Sequence, residues 1–555
     1  MALVQKLEER LITEIEQAIN NAKELNIEKL PKIKLEVPRD SAHGDFATNI
    51  AMVLAGQAKM APRQIAEIIK ENLADVKLIE KVEVAGPGFI NFFLSNQWLY
   101  DVLVEVEKQG ADYGKVNVGQ DKRVQVEFVS ANPTGPLHVG HSRGAVVGDV
   151  MANLLTAAGF DVIKEYYIND AGNQMNLLGK SVAIRYQQLL GEEVGFPEDA
   201  YQGDYIKEIA QTIIDEENDK YLKDAQAENY DYFGERAYQI LLANIEDDLA
   251  SFGIEFDKWF SERTLHPDAI NEVVADFKES GFIYDKDGAL WFNSNKFGDD
   301  KDRVVIKEDG APTYLAADIA YHKNKYDRGF EEVINVWGAD HHGYIERMKA
   351  VVEALGYDRE ALQVILVQLV TLLRDGEQVP MSKRAGNFVT MRDVIKEVGK
   401  DAARYFYVMR STDSHLDFDL ELAKKESSDN PVYYIQYAHA RICSILEQLN
   451  NEEIVLPQAT SLDLSPLTDE AEIDLIKKLA DYPNEIAKSA ESRAPHHIAR
   501  YAYDLAATFH KFYNKCHVLI EDKALLEARI VLVLATKQVL LNVLNLLGVS
   551  APESM

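Results

Sequence analysis

Two histidines three residues apart, His138 and His141, stand directly behind the turn ANPTGP in the stretch EFVSANPTGPLHVGHSRGAVVGD, residues 127–149. A strand-like run, RVQVEFVS, leads into the turn, and a helical run from about Leu137 to Ala158 leaves it. A strand-to-helix turn of this kind at the carboxyl edge of a parallel sheet is a place where nucleotides bind. The first N–H groups of the helix and its positive dipole end attract phosphate oxygens. Positions i and i+3 put both imidazoles on one helix face. There they can donate hydrogen bonds to a phosphate whose charge grows in the transition state. Gly140 leaves room for a base or ribose against the helix backbone. The pair alone also fits a metal site, though no carboxylate or cysteine lies nearby to complete a shell, and it fits a hydrogen-bonded core pair. A phosphate-loop look-alike, GNQMNLLGKS, fails on spacing: Gly172 is two residues too far from Gly179, and no strand leads directly into it.

The elements that must position these residues read as α/β. The expected fold is a doubly wound parallel-sheet (Rossmann-type) catalytic domain with a helical insertion, an N-terminal α/β domain and a C-terminal all-α helical bundle. Residues 1–112 alternate helical stretches such as APRQIAEIIKENL with VEVAGPGFINFFL, where a Gly-Pro-Gly bend precedes an apolar strand. DYGKVNVGQDK has the composition of a linker or hairpin. The catalytic domain is expected over 120–400. In it the strands DVIKEYYI, DRVVIKE, EVINVWGAD and LQVILVQLV are separated by helical runs, the pattern of a parallel sheet. An acidic helical insertion is expected at about 195–300. After about Asp401 the periodicity is almost wholly helical: a connecting segment, 401–430, leads to a helical domain, 431–555, that shows apolar residues at helical spacing.

At 555 residues the chain is long enough for three or four domains of roughly 150 residues. No segment reads as apolar enough to span a bilayer. The N-terminus resembles neither a signal nor a transit peptide, and the two cysteines, Cys443 and Cys516, support no disulfide framework. A cytoplasmic location with no membrane partner is the expectation. Asp plus Glu outnumber Lys plus Arg by 91 to 59, a formal charge of −32, which argues against a nucleic-acid binder. Binding is local, however, and the acid is thin around the histidine pair.

SANPTGPLHVGH resembles the signature of class I aminoacyl-tRNA synthetases, in the form carried by arginyl-tRNA synthetases. His138-Val139-Gly140-His141 matches the family's His-Ile-Gly-His element. In VPMSKRAGN, Met381-Ser382-Lys383 matches its Lys-Met-Ser-Lys element, with Pro380 in place of the first lysine. Lys383, helped by Arg384, is left to carry more of the phosphate load. The resemblance implies catalytic roles for His138, His141, Ser382 and Lys383, and ATP contacts from Pro133, Gly135, His138, Gly140, His141, Met381 and Lys383. ATP enters with Mg²⁺, and the partners implied are L-arginine and tRNA(Arg), on a monomeric enzyme.

A guanidinium is planar and permanently charged, so a selective pocket needs carboxylates and an aromatic face. Glu127 ends the strand before the signature, and Tyr314 and Asp318 are i and i+4 in TYLAADIAYH, similar to the family's arginine-binding element. Ser130, Asn132 and His342 join that set by resemblance, although His342 also fits a structural polar cluster. Tyr434, Tyr437 and Arg441 form one helical stripe, with Tyr513 on another helix. Taken alone such a stripe is more often core; the resemblance makes it an anticodon surface, with Met555 beside it. Phe46 and Asn49 fall in the stretch similar to the domain that contacts the tRNA elbow. The family further implies that tRNA binds before arginine is activated. Two rivals stay open: a nucleotidyltransferase acting on a small acid, and a synthetase-like RNA-binding protein with a dead site.

Overall fold

A computed structural model of the chain describes residues 3–38, 40–74, 78–379 and 389–555. In its first domain, helix α1 (Leu3–Asn21) buries Leu7, Leu11, Ile15, Ala18 and Ile19, the three-to-four spacing of an amphipathic face. Strand β1 (Phe46–Thr48), helices α2 (Ile50–Ala58) and α3 (Pro62–Asn72), and strands β2 (Ile79–Ala85) and β3 (Phe89–Leu94) follow. The three strands form an antiparallel sheet in the order β1-β3-β2. Helix α4 (Gln97–Gln109) leads out of the domain, and the DYGKVNVGQDK stretch behind it is turn and loop.

The catalytic sheet begins with β4 (Arg123–Glu127), α5 (Val139–Ala157) and β5 (Asp161–Ile168). Helices α6 (Asn173–Leu189), α7 (Asp204–Glu217), α8 (Leu222–Gln226) and α9 (Asp231–Ser251) then pack around their own apolar cluster, which includes Tyr186, Ile209 and Phe233. The expected helical insertion over 195–300 needs correction here. Residues Lys258–Ser261 form β6, which pairs in parallel with β5 and is an edge strand of the main sheet. Four residues are too short for the periodicity of a strand to be read. Helix α10 (Asp268–Glu279) and strands β7 (Ile283–Lys286), β8 (Ala289–Phe292) and β9 (Arg303–Ile306) come next. β9, expected in the parallel sheet from DRVVIKE, instead completes an antiparallel sheet in the order β7-β8-β9.

Helix α11 (Tyr314–Asp327), β10 (Glu332–Gly338), α12 (Ile345–Ala354) and β11 (Leu362–Val367) close the core. The five parallel strands run β11-β10-β4-β5-β6. The order turns back between β4 and β10, and a crevice at the carboxyl ends of those two strands is the binding position of such a sheet.

Beyond the core, β12 (Val370–Arg374), β13 (Glu377–Gln378), α13 (Met391–Val398), α14 (Lys400–Val408), β14 (Leu416–Asp419) and α15 (Leu420–Lys424) bridge to the C-terminal helices. β14 pairs in parallel with β12, so this stretch is less helical than its sequence suggests. The bundle is α16 (Pro431–Asn451), α17 (Glu470–Glu491), α18 (His496–Lys515) and α19 (Lys523–Leu547). Against the sequence expectation, α19 is long and apolar enough to cross a membrane. Most of it is buried among its neighbours, as the core helix of a bundle requires.

Candidate active site

His138 is the N-cap of α5, and its Nδ1 accepts from the Gly140 N–H at 3.1 Å. His141 reaches back, its Nδ1 accepting from the His138 N–H at 3.3 Å. This reciprocal cap satisfies two helix-end donors and stacks the two rings at 3.8 Å. With Nδ1 accepting in both rings, the remaining proton of each neutral imidazole lies on Nε2. Gly140 is explained by the ring beside it: a Cβ there would lie 2.8 Å from His138 Cε1 and 3.0 Å from Nδ1.

The turn between β4 and α5 is braced from outside. Val129 and Ser130 take positive φ, 66° and 41°, a strained conformation for a β-branched valine. Tyr166 donates to Ala131 O (2.8 Å), Asn132 Nδ2 to Gln174 Oε1 (2.7 Å) and Tyr205 to Thr134 O (2.8 Å). Pro133 sits inside this brace, and the Tyr205 ring lies over Gly135. One turn into α5, Arg143 is fully buried and donates to the carbonyls of Gln368, Ser411 and Ser414. Burial lowers its guanidinium to about 10, still charged at neutral pH.

The expected arginine-binding carboxylates converge at the same edge. Glu127 Oε2 lies 2.5 Å from Lys325 Nζ, and its Oε1 accepts from Ser130 Oγ at 3.0 Å. Asp318 Oδ2 accepts from the Tyr344 hydroxyl at 2.5 Å. Burial raises the Asp318 acid to about 6; the Tyr344 bond opposes this, while the charges of Glu127 and Glu262 add to it. Tyr314 opens α11 with 64% of its surface exposed, one turn before Asp318. His322 donates through Nδ1 to Asp318 O (2.8 Å) and accepts at Nε2 from Asn335 (3.2 Å). Burial lowers its imidazole to about 3, so the ring is neutral.

His342 is exposed in the turn Ala339–Tyr344, and the neighbour that bonds Asp318 is Tyr344. Lys325, Tyr344 and Glu262 join this cluster without a sequence motif to mark them. Lys325 could have been found as the cation seven residues after Asp318, two turns along the same face of α11. Glu262 carries no local signal, because the short strand before it went unread.

Pro380, Met381, Ser382, Lys383 and Arg384 lie outside the described residues. The chain that follows them returns to the histidine turn. Val139 N–H donates to Val389 O (3.1 Å) and Met391 N–H to Leu137 O (2.9 Å), on either side of a bridge between His138 and Thr390. Thr390 caps α13 through a reciprocal box with Asp393.

Of the expected RNA contacts, Phe46 is corrected by the structure. It is 4% exposed and pairs with Phe92 inside the first domain's core, so it has no face to offer RNA. Asn49 is exposed before α2. Tyr437, Arg441 and Tyr513 meet across α16 and α18, with the Arg441 guanidinium 4.5 Å and 4.4 Å from the two ring centres. Tyr434 packs on His510 and Tyr503 instead. Met555 is half exposed.

A parallel sheet with a reciprocal histidine cap at its switch point fits a class I aminoacyl-tRNA synthetase. The family model described as "tRNA synthetases class I (R), catalytic domain" matches residues 102–419. Models of the arginyl tRNA synthetase N terminal domain and the DALR anticodon binding domain match 9–94 and 435–555. The chain is 51% identical to the arginine–tRNA ligase of Desulforamulus reducens and 50% identical to that of Bacillus subtilis, with all of each chain covered. A Campylobacter jejuni crystal structure assigned to the arginyl-tRNA synthetases is 38% identical, with a TM-score of 0.77 over 83% of this chain and all of that one. The chain belongs to the arginyl-tRNA synthetase family.

Proposed function

We propose that this chain is an arginine–tRNA ligase. It activates L-arginine with ATP to arginyl-adenylate, releasing pyrophosphate, and transfers the arginyl group to the 3′-terminal adenosine of tRNA(Arg), releasing AMP. The observation that carries the reading is 51% identity over the whole length of a relative with that activity in its name. In this reading the guanidinium lies between Tyr314, Asp318 and Glu127, while Ser130, Asn132 and His342 serve the same substrate. The arginine carboxylate attacks the α-phosphorus, and the bond to pyrophosphate breaks.

The Nε2–H groups of His138 and His141 donate to the phosphate oxygens as charge builds. Because the helix cap holds both rings beforehand, little reorganisation is needed at that moment. Pro133, Gly135 and Gly140 border the ATP. Met381, Ser382 and Lys383 complete the phosphate contacts. Mg²⁺ enters with ATP and neutralises phosphate charge when bound; among the described residues no group of three or more His, Cys, Asp or Glu is arranged to hold a metal.

The division of labour proposed is a tRNA-elbow reader in 1–112, catalysis in 120–400, a stem contact in 401–430 and an anticodon reader in 431–555. Asn49, Tyr434, Tyr437, Arg441, Tyr513 and Met555 are the RNA contacts of that scheme, in a monomeric, cytoplasmic enzyme. Pyrophosphate exchange with ATP and individual amino acids, with and without total tRNA, tests the whole. Exchange with arginine alone, and only with tRNA present, is the expected result. Exchange with another acid and no tRNA would move the chain to the nucleotidyltransferases. tRNA binding without exchange would mark a dead site.

A further inference from the structure

Lys325 is not among the proposed substrate contacts. Its side chain has no solvent exposure, yet it carries an ammonium 2.5 Å from Glu127 Oε2 and 3.0 Å from Asn335 Oδ1, with its Nζ 4.3 Å from the centre of the Tyr321 ring. A buried cation is costly, and a helix that merely packs on a sheet satisfies the same space with an apolar residue. Helix α11 already has an ionic tie to the sheet. Arg328 holds Glu165 through two bonds of 2.5 Å and 2.9 Å, with the Tyr321 hydroxyl on the same carboxylate. The direct carboxylate partner of Lys325 is Glu127, and its charge also acts on Glu165 and Asp318.

The surroundings explain why Glu127 needs a cation. Around Glu127 stand Asp318 and Tyr321 from α11, Tyr167 from β5, and its register neighbours Glu165 on β5 and Asn335 on β10; Glu262, after β6, acts on Asp318 and Tyr167, and His322 bonds Asn335. Tyr344 bonds the Asp318 carboxylate from the turn after β10. Asp318 thus feels the charges of both Glu127 and Glu262, Glu165 is the register neighbour of Glu127, and His322 is neutral. Carboxylates this close disfavour one another's charge.

We infer that Lys325 is a positioning residue for arginine selection. It fixes the Glu127 carboxylate between its own ammonium and the Ser130 hydroxyl, so that the substrate guanidinium meets an anion already in place. This inference rests on the arginine-ligase reading.

The test is tRNA charging by the full-length K325M variant, with arginine KM, ATP KM and kcat measured from pH 6.5 to 9. A buried carboxylate stripped of its cation takes up a proton. Arginine KM should therefore rise about tenfold or more at pH 7 and fall back as pH rises, while ATP KM and kcat stay within about threefold. A loss spread equally over kcat and both KM values, or an arginine KM that keeps the wild-type pH profile, overturns the inference. If K325M does not fold, E127Q and E127Q/K325M decide the question, because the double variant leaves no orphan charge. The double variant should bind arginine more tightly than E127Q, whose unpaired ammonium repels the guanidinium. Equal or weaker binding by the double variant overturns the inference. A wild-type chain that charges no arginine defeats the ligase reading itself, before Lys325 enters.

Discussion

Asp149 and Arg404 form a buried ion pair between the helix that carries both histidines and the helix that leads into the C-terminal bundle. Arg404 has no exposed surface, and it also donates to Leu547 O at 2.9 Å and Phe252 O at 3.1 Å. One guanidinium therefore ties together α5, α14, the end of α19 and the end of α9. Gly548 lies against it at φ 67°, where an added Cβ would stand 2.3 Å from Arg404 Nη2.

Replacing Arg404 by methionine leaves Asp149 paired with Lys164 at 2.7 Å, its other ion pair among the described residues. The expected loss is about 3–5 kcal/mol of stability, the usual cost of removing one partner of a buried pair. Thermal or denaturant unfolding reads it directly. D149N/R404M should lose less than the sum of the single variants, because the two groups share one interaction.

Gly140 and Gly144 make a matched pair on the same helix. Alanine at 140 drives a Cβ into the His138 ring, whereas nothing lies within 4 Å of a Cβ at 144. G140A should therefore fold normally and lose about 10²-fold in kcat for pyrophosphate exchange, on the scale of losing one positioned donor. G144A should keep its rate and gain up to about 1 kcal/mol of helix stability. Equal rates in the two variants would show that the ring position does not matter.

Phe46 and Asn49 separate core from surface in the first domain. F46A should cost about 3–5 kcal/mol, the range for emptying an aromatic site in a core, with tRNA KM unchanged in the folded fraction. N49A should leave the melting temperature alone and raise the KM for tRNA. A change in melting temperature with no change in tRNA KM at Asn49 would end its role as an RNA contact.

The long periodic elements were legible. The strand–turn–helix around His138, the helix from Tyr314 and the C-terminal bundle all carry their pattern in a dozen or more residues. β6 and β14 were not, because four residues hold too little periodicity and tertiary pairing decides their state. At the site, types that react or carry charge stood out: His138, His141, Glu127 and Asp318. The groups that set their charge and orientation come from distant segments, Lys325 lying 198 residues from Glu127 and Tyr344 lying 26 from Asp318. Only the fold brings such pairs together. Phe46 is buried where a surface was expected, because an aromatic in a short strand has the same sequence signature whether it faces solvent or core.

Arginine binding should depend on pH through Asp318. Its acid is raised to about 6, with burial the largest cause, so the carboxylate loses its charge as pH falls through that value. The guanidinium stays charged throughout, and it needs the ionised form. Arginine KM should hence be flat above about pH 7 and climb about tenfold per pH unit below 6. The Tyr344 hydroxyl lowers that acid by bonding its anion. Y344F removes the bond, so the rising limb should shift to higher pH and the KM at pH 7 should increase several-fold, with recovery toward wild type above pH 8. Titrating arginine KM from pH 5.5 to 8.5 in both proteins separates two roles for the tyrosine. Displaced limbs mean that it tunes the charge of Asp318, and parallel curves offset by a constant factor mean that it only holds the side chain in place.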